Sequence, residues 1–220
     1  MLHSKYTLNE IFYSIQGEGC YTGMPAIFLR FAGCNCSCPW CDTDFSTKFK
    51  MSHQEIVDGI RREIELFDID PFNKNSLPMI VLTGGEPTIQ NNLLFLCEVL
   101  KHYTPQLIAV ETNGTRPHIL KELKNAKVID WITVSPKPEP MKDPSYLKGI
   151  LEEIPLDELK VVLDNVVDPL LFQDLVDTKI KPGHAFIQPC SQNYAPAIDF
   201  VKRHPQWRLS VQIQKEINVR

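Results

Sequence analysis

The chain has 220 residues, 43% of them hydrophobic, with 23 Lys and Arg against 27 Asp and Glu and a formal net charge of −4. This length and composition fit one globular domain, 1–220, and the acidic balance argues against a nucleic-acid partner, which would require a basic face. No run approaches the roughly 18 apolar residues of a membrane span and no signal-peptide pattern is present, so we expect a cytoplasmic protein without a membrane partner.

Short apolar runs rich in β-branched residues alternate with amphipathic stretches along the chain. The predicted strands span residues 26–31, 79–83, 107–112, 128–134, 159–163, 184–188 and 209–213. The predicted helices span residues 52–67, 91–103, 117–124, 169–176 and 195–204, and a capping box of Ser52 and Glu55 opens the first. This alternation predicts a parallel sheet with crossover helices. Because a complete eight-unit barrel takes about 250 residues, we expect an α/β fold forming an open, shortened, partial TIM-like barrel.

Four of the seven cysteines lie within residues 34–41, directly after the first predicted strand. Cys34, Cys38 and Cys41 have the spacing C-x3-C-x2-C, and such crowding indicates metal ligation in a reducing compartment. Three thiolates on a 4Fe–4S cluster leave one iron open to a small chelating molecule. The alternative is a structural zinc site with Cys36 as fourth ligand, although zinc sites usually use two separated ligand pairs. The spacing favours the cluster.

A second motif, Thr83-Gly84-Gly85-Glu86-Pro87, follows the predicted strand 79–83. Two glycines at a strand end allow the backbone to approach a ligand closely, and a carboxylate there can accept from an ammonium group. Alone, the motif is equally typical of a turn. Beside the cysteine triad, it predicts an edge that binds the amino-acid head of S-adenosylmethionine (SAM).

Together the two motifs resemble the radical SAM superfamily. A narrower resemblance is to the 7-carboxy-7-deazaguanine synthase family, which converts 6-carboxytetrahydropterin to 7-carboxy-7-deazaguanine, with loss of ammonia, in 7-deazapurine (queuosine precursor) biosynthesis. Six segments in the same order carry this resemblance: residues 13–19, 28–35, 41–45, 111–114, 134–137 and 187–189. The resemblance implies a radical SAM barrel with its ligands at the C-terminal strand ends, and a lyase whose radical is borne by the cofactor instead of an acid–base side chain.

The resemblance also implies a role for individual residues. The cluster ligands would be Cys34, Cys38 and Cys41, and Thr43 would give a hydroxyl to Mg²⁺. The SAM-binding residues would be Trp40, Asp42, Gly85, Glu86, Asn113, Ser135, Lys137, Gln188 and Pro189. The substrate-binding residues would be Ile15, Gln16, Gly17, Glu18, Arg30, Thr83 and the main-chain carboxylate of Arg220.

Local chemistry supports some of these roles and leaves alternatives open. Gln16 and Glu18 offer an amide and a carboxylate to the donor–acceptor edge of a pterin, although the segment could also form a polar turn. Arg30 lies in an apolar strand, where its guanidinium needs either a substrate carboxylate or an internal ion pair. Mg²⁺ prefers few protein oxygens, which suits the Thr43 assignment. One departure concerns Gln214, which stands where the family commonly has histidine.

The implied partners are a small pterin substrate and an external reductant such as flavodoxin or ferredoxin, and the family is usually homodimeric. Two other functions share part of the pattern. An enzyme that activates a glycyl-radical protein has the same cysteine spacing, but it would not need Arg30 and Thr43 on a small polar ligand. A non-catalytic iron–sulfur protein would not need the edge at Gly84 and Gly85.

Overall fold

The computed structural model describes residues 5–70, 73, 76–103, 106–164 and 166–219. The strands within these residues are β1 Tyr6–Ile15, β2 Pro25–Phe31, β3 Phe49–Met51, β4 Met79–Gly84, β5 Ile108–Thr112, β6 Trp131–Val134, β7 Glu158–Leu163, β8 Ala185–Pro189 and β9 Arg208–Leu209. The α-helices are α1 His53–Leu66, α2 Leu93–Tyr103, α3 Pro117–Asn125, α4 Pro144–Lys148, α5 Gln173–Thr178, α6 Tyr194–Arg203 and α7 Ile213–Glu216. A π-helical turn, Gly149–Glu153, follows α4 directly.

The strands form one sheet in the order β3-β1-β2-β4-β5-β6-β7-β8-β9. From β2 to β9 every neighbouring pair is parallel, whereas β1 runs antiparallel to both β2 and β3. Within the described residues β3 and β9 are the two edges, so the barrel is open. This arrangement confirms the expected open α/β fold.

The parallel strands have one face toward the helices and one toward the barrel interior, because successive side chains of a strand point to opposite sides. Residues such as Leu29, Leu82 and Val110 pack against the helices in the larger core. On the inner face, the first half of the strands is apolar and forms a smaller core of Phe12, Ala26, Phe28, Met79, Val81 and Ala109. Polar residues take the same inward positions near the C-terminal strand ends: Arg30, Thr83, Glu111, Thr133, Lys160 and Gln188.

The first helix shows how local sequence sets an element. The Ser52 side chain accepts from the Glu55 amide and the Glu55 carboxylate accepts from the Ser52 amide, which confirms the capping box. Ile56, Ile60 and Ile64 are buried at a spacing of four residues, so one stripe of the helix faces the sheet. Burying each of these side chains contributes about 1.5–3 kcal/mol.

Three predicted elements differ from the structure. The strand predicted at 128–134 begins only at Trp131, because the Val128 amide still bonds to the Leu123 carbonyl at the end of α3. The strand predicted at 209–213 ends at Leu209, since the chain then leaves the sheet and Ile213 donates its amide to Gly17 of the loop after β1. The helix predicted at 169–176 divides into a 3-10 turn, Pro169–Phe172, and α5.

Strand β1 was not predicted, although it is the longest in the sheet. Its register shifts between Leu8 and Glu10, and this irregularity interrupts the simple alternation by which a strand is recognised. The shift places Glu10 and Phe12 on the inner face beside Arg30. Among the described residues, no helix is long and apolar enough to cross a membrane.

Candidate active site

Two adjacent pockets open at the C-terminal ends of the strands. The cysteine pocket has a lining that includes Cys34, Cys38, Cys41, Gly85, Lys137 and Lys160. The Arg30 pocket has a lining that includes Arg30, Ile15, Gln16, Gly17, Phe28 and Gln214. Including the space at their open ends, the two pockets have volumes of about 910 and 930 Å³. The linings share Glu18, Asp42, Thr43, Thr83, Glu111 and Gln212, so the two pockets have a common wall.

The cysteines of the triad lie on the loop after β2 and line the same pocket. Cys34 and Cys38 are half-buried and Cys41 is exposed, whereas Cys36 is buried and receives an N–H···S contact from Asn113 Nδ2 at 3.4 Å. The pKa of the Cys34 thiol is lowered by hydrogen bonds from Cys36, against the opposing effect of burial. In the described part of the chain, no three His, Cys, Asp or Glu side chains converge tightly enough to hold a metal ion.

The glycine motif brings the end of β4 against this loop. The Gly85 amide donates to Phe31 O at 3.0 Å, and the Glu86 amide donates to Gly33 O at 2.9 Å. A Cβ atom on Gly85 would lie 1.7 Å from the Gly33 carbonyl oxygen, which is a severe steric overlap. Glycine is therefore required at position 85 for the cysteine loop to reach the strand end.

Glu86 is fully buried, and its carboxylate already has partners inside the protein. One oxygen accepts from the Thr88 amide and from the Thr88 and Thr112 hydroxyls at 2.6–3.0 Å. The other accepts from the Asn113 amide at 2.7 Å. These contacts join the ends of β4 and β5, so Glu86 braces the site. Its assignment to the SAM amino group stays a prediction.

Other residues assigned to SAM lie around the cysteine pocket. Lys137 Nζ donates to Ser135 Oγ at 2.9 Å and lies 5.2 Å from the centre of the Trp40 ring, a cation–π distance. Burial lowers the pKa of Lys137, and the nearby charge of Lys160 adds to that effect. Asn113 donates from Nδ2 to Asn35 Oδ1 at 2.9 Å, so it also ties β5 to the cysteine loop.

The end of the cysteine loop is tied to the C-terminal half of the chain. Trp40 Nε1 donates to Asp164 Oδ2 at 2.7 Å, and Asp42 forms an ion pair with Lys215. A third pocket lies beyond these contacts, and its lining includes Trp40, Asp42, Gln188, Pro189, Gln212 and Lys215. Asp42, Gln188 and Pro189 are therefore close to Trp40, as their shared assignment to SAM requires.

The described residues assigned to the substrate come together in one place. Ile15, Gln16, Gly17, Glu18, Arg30 and Thr83 all line the Arg30 pocket, and Thr43 lines the wall that it shares with the cysteine pocket. Arg220 lies outside the described residues. The substrate roles were proposed from separate segments of sequence, and the fold brings those segments to one cavity.

Arg30 has an internal partner in this structure. Its Nε donates to Glu10 Oε1 at 2.8 Å on the antiparallel neighbour β1, and its guanidinium carbon lies 5.3 Å from the centre of the Phe12 ring. The side chain keeps about a quarter of its surface exposed toward the pocket. Both alternatives for Arg30 are thus compatible with its position, because an ion pair through Nε coexists with an open pocket.

Glu18 has the most partners of the substrate-side residues. One carboxylate oxygen pairs with Lys160, and the other accepts from Gln212 Nε2 at 2.8 Å and from Gln214 Nε2 at 3.2 Å. Burial raises the pKa of Glu18, but the charge and hydrogen bond of Lys160 outweigh it, so the net direction is downward. Gln214 thus contacts Glu18 through Nε2, and its buried Oε1 has no hydrogen-bond partner among the described residues.

Glu111 connects Gln16 of the Arg30 pocket with Thr83 of the common wall. It accepts from Gln16 Nε2 at 3.0 Å with one oxygen and from the Thr83 hydroxyl at 2.8 Å with the other. Sequence reasoning assigned no role to Glu111, Lys160 or Gln212. The available signal was strand periodicity, since Glu111 and Lys160 are charged residues at inward-facing positions of mainly apolar strands.

The residues present fit the groups that a radical SAM enzyme binds. The triad thiols face one pocket, and the close approach at Gly85, which a Cβ would fill, leaves a backbone edge beside them. The Thr43 hydroxyl lies where that pocket meets the Arg30 pocket, which suits a metal that takes few protein ligands. Cys34, Cys38 and Cys41 would hold the cluster, the surrounding polar residues SAM, and Thr43 the Mg²⁺.

Comparison with known proteins agrees with this geometry. The Radical SAM superfamily model matches residues 29–137, from β2 to Lys137. The 7-carboxy-7-deazaguanine synthase of Bacteroides thetaiotaomicron is 38% identical over 97% of this chain and 98% of its own length. The protein of that name from Burkholderia multivorans is 36% identical over 97% and 99%. The crystal structure of QueE from Escherichia coli has a TM-score of 0.65 at 28% identity and covers 94% of both chains.

The structural likeness covers 94% of this chain, and the family model matches a range that contains the cysteine loop and the glycine edge. Relatives above 30% identity match at nearly full length on both sides. The chain belongs to the 7-carboxy-7-deazaguanine synthase family of radical SAM enzymes.

Proposed function

We propose that this chain is the lyase that converts 6-carboxy-5,6,7,8-tetrahydropterin to 7-carboxy-7-deazaguanine with loss of ammonia. The observation that carries the proposal is the common wall. It places the substrate-side residues of the Arg30 pocket directly beside the cysteine triad, with Thr43 between them. Cys34, Cys38 and Cys41 would hold the cluster, which together with SAM would supply radical chemistry for hydrogen abstraction from the substrate.

The residues of the Arg30 pocket bind and orient the substrate in this proposal. Arg30 pairs with the carboxylate, and Gln16 and Glu18 bind the donor–acceptor edge of the pterin. Thr83 contacts the ring at the common wall, and Ile15 with Gly17 contributes backbone. Thr43 would give its hydroxyl to Mg²⁺, which would supply Lewis-acid polarisation of the substrate.

The floor of the same pocket is apolar. Phe12 and Phe28 stack with ring centres 5.0 Å apart at the inner face of the antiparallel pair, and both line the pocket. An apolar floor excludes water from one side of the bound ring, and electrostatic contacts such as that of Arg30 are stronger where water is excluded. The pocket therefore suits a flat, partly polar ring with a charged substituent.

On the cysteine side, residues of this chain orient SAM. The edge at Gly85 and Glu86 takes the amino group, and Asn113, Ser135 and Lys137 surround the amino-acid head. Trp40, Asp42, Gln188 and Pro189 lie toward the third pocket, which would take the rest of the cofactor. Lys137, buried beside Ser135, offers a cation to a carboxylate.

The enzyme acts on a small molecule and uses an external reductant. We propose a flavodoxin or a ferredoxin as that reductant, a cytoplasmic location and a homodimer, each from the family resemblance. The alternatives, an activator of a glycyl-radical protein and a non-catalytic iron–sulfur protein, are not favoured by the named relatives.

Anaerobic turnover tests the proposed function. The reconstituted protein is incubated with SAM, Mg²⁺, a chemical reductant and 6-carboxytetrahydropterin, and 7-carboxy-7-deazaguanine is measured by mass spectrometry. The proposal requires the product and ammonia in equal amounts, with SAM not consumed stoichiometrically. SAM cleavage without product would exclude this substrate, and absence of both product and SAM cleavage in a protein with a full cluster would favour the non-catalytic alternative.

Arg30→Ala is expected to weaken substrate binding strongly while leaving the cluster in place. Loss of a charge-assisted pair at a partly exposed site costs on the order of 2 kcal/mol, which is about thirtyfold in Kd. The measurement is a substrate titration of the SAM-bound, unreduced holoenzyme. Glu10→Gln is the matched control, because it alters the internal partner and keeps the guanidinium. If Glu10→Gln weakens binding as much as Arg30→Ala, Arg30 serves the internal pair alone.

Thr43→Ala is expected to raise the Mg²⁺ concentration needed for half-maximal turnover by several-fold, because one protein oxygen leaves the metal. Cluster content should not change, since the substitution removes no thiol. Thr47→Ala is the control, as Thr47 is exposed on the same loop and lies outside the linings of both pockets. Identical Mg²⁺ titrations for Thr43→Ala and Thr47→Ala would remove Thr43 from the metal site.

A further inference from the structure

Lys160 is a buried lysine inside the barrel that the proposed function does not use. It lies on β7, where Leu159 and Val161 pack in the larger core and Lys160 points the other way into the cysteine pocket. Only 7% of the residue is exposed. A buried lysine is costly unless its charge has a partner, so the contacts of its ammonium group decide what it does.

The partner of Lys160 is Glu18, on the loop after β1. Their ion pair is the most buried of the ion pairs found among the described residues. Glu111 and Glu158 also face Lys160 from β5 and β7, and Lys137 is the nearby second cation. Burial lowers the pKa of Lys160, but the nearby carboxylates, of which Glu18 has the largest effect, raise it by more. The pKa is therefore above its usual value and the ammonium group stays charged.

The geometry places this pair at the wall between the two pockets. Glu18 lines both pockets, and Lys160 lines only the cysteine pocket. Lys160 therefore approaches Glu18 from the cysteine-pocket side, while Gln212 and Gln214 approach the other carboxylate oxygen. Together the three donors set the direction of the carboxylate. Burying this ion pair has a desolvation cost that a pair of apolar side chains would not have. A contribution to stability therefore does not explain why two charged residues are found here.

We infer that Lys160 is a positioning residue for the pterin: it keeps Glu18 ionised and aimed so that the carboxylate accepts hydrogen bonds from substrate N–H groups. This inference rests on the proposed function. An ionised carboxylate only accepts, whereas a protonated one carries an O–H that opposes a substrate N–H. Without Lys160, burial would favour the protonated form.

Lys160→Met tests the inference, because methionine has a similar length and no charge. Substrate Kd is measured with SAM-bound, Mg²⁺-loaded, unreduced holoenzyme at several values between about pH 6 and pH 8. The Kd of each variant is divided by the Kd of the original protein at the same pH, so that any effect of titration of the substrate itself cancels. We expect binding about tenfold weaker or more near pH 7, with the defect growing as pH falls, because Glu18 then takes up a proton.

Three further variants separate positioning from a general structural role. Lys160→Arg keeps the positive charge, so it should retain most of the substrate affinity, and its relative Kd should not change with pH. Glu18→Gln should weaken binding without pH dependence, and Lys160→Met with Glu18→Gln should show the same flat profile. That double variant also tests Glu111 and Glu158, which would keep the profile sloped if either were the group that titrates. Iron content and cluster absorbance show that each variant is folded and loaded.

The outcomes distinguish the inference from the proposed function. If the original protein does not bind 6-carboxytetrahydropterin, the proposed function fails. If it binds and Lys160→Met has wild-type affinity, or a weakened but pH-independent affinity, the positioning role of Lys160 is wrong and the proposed function stands. A slope that persists in the double variant would also overturn the role, because the titrating group would not be Glu18.

Discussion

Replacement of Cys34, Cys38 or Cys41 by alanine is expected to abolish cluster assembly and with it all SAM cleavage. Each thiolate holds one iron, and the open site that SAM needs exists only on the fourth. The three side chains line one pocket, so loss of any one removes a corner of the site. The measurement is iron content and visible absorbance after anaerobic reconstitution, followed by 5′-deoxyadenosine analysis under reduction. We expect background values for all three variants.

Cys36→Ala is the matched control, since it removes a thiol from the same loop. Cys36 is buried, and its side chain contacts Asn113 and shares a hydrogen bond with Cys34, so its loss costs about 0.5–1.5 kcal/mol of stability. Cluster content and SAM cleavage should remain close to those of the original protein. If Cys36→Ala alone lost the metal, the four-thiol zinc site would become the better interpretation of the loop.

Gly85→Ala is expected to prevent the cysteine loop from docking on β4. The added Cβ would lie 1.7 Å from the Gly33 carbonyl oxygen and 3.1 Å from the Cys34 amide nitrogen. Both atoms are backbone, so the loop has to move, and the free energy of unfolding should fall by on the order of 3 kcal/mol. Because the displaced segment carries Cys34, we also expect loss of most of the cluster. Urea unfolding and iron analysis measure the two effects.

Gly149→Ala provides the comparison for this substitution. Its added Cβ would meet only the Pro117 side chain at 3.5 Å, an ordinary contact, and its backbone is helical. Alanine is favoured over glycine in a helix by about 0.5–1 kcal/mol, so stability should be unchanged or slightly higher. Equal stability and cluster content of the two alanine variants would show that the loop tolerates displacement at Gly85.

The sequence alone was sufficient for the elements whose signals are local. The capping box at Ser52, the strand before the cysteine loop and the glycine edge after β4 depend on residues within a few positions of each other. The same holds for the cysteine triad, whose spacing limits the chemistry that the loop can perform. The family resemblance added residue roles in six separate segments, but it did not show how those segments meet.

Other features could not be read locally. Strand β1 contains an irregularity that breaks the two-residue period, and its pairing with β2 and β3 is a long-range property. The last predicted strand was wrong beyond Leu209, because the backbone there bonds to Gly17, nearly two hundred residues earlier. Propensity does not determine an element whose hydrogen-bond partner lies on another part of the chain.

The sequence by itself indicated the class of chemistry, and its resemblance indicated the family, because the thiol spacing and the glycine motif each lie within a few consecutive residues. Only the tertiary structure decided that Lys160 and Glu18 form an ion pair, that Glu111 joins Gln16 to Thr83, and that Glu86 is enclosed by its own protein. The physical reason is that the energy of a buried charge depends on which groups surround it, and those groups come from distant strands.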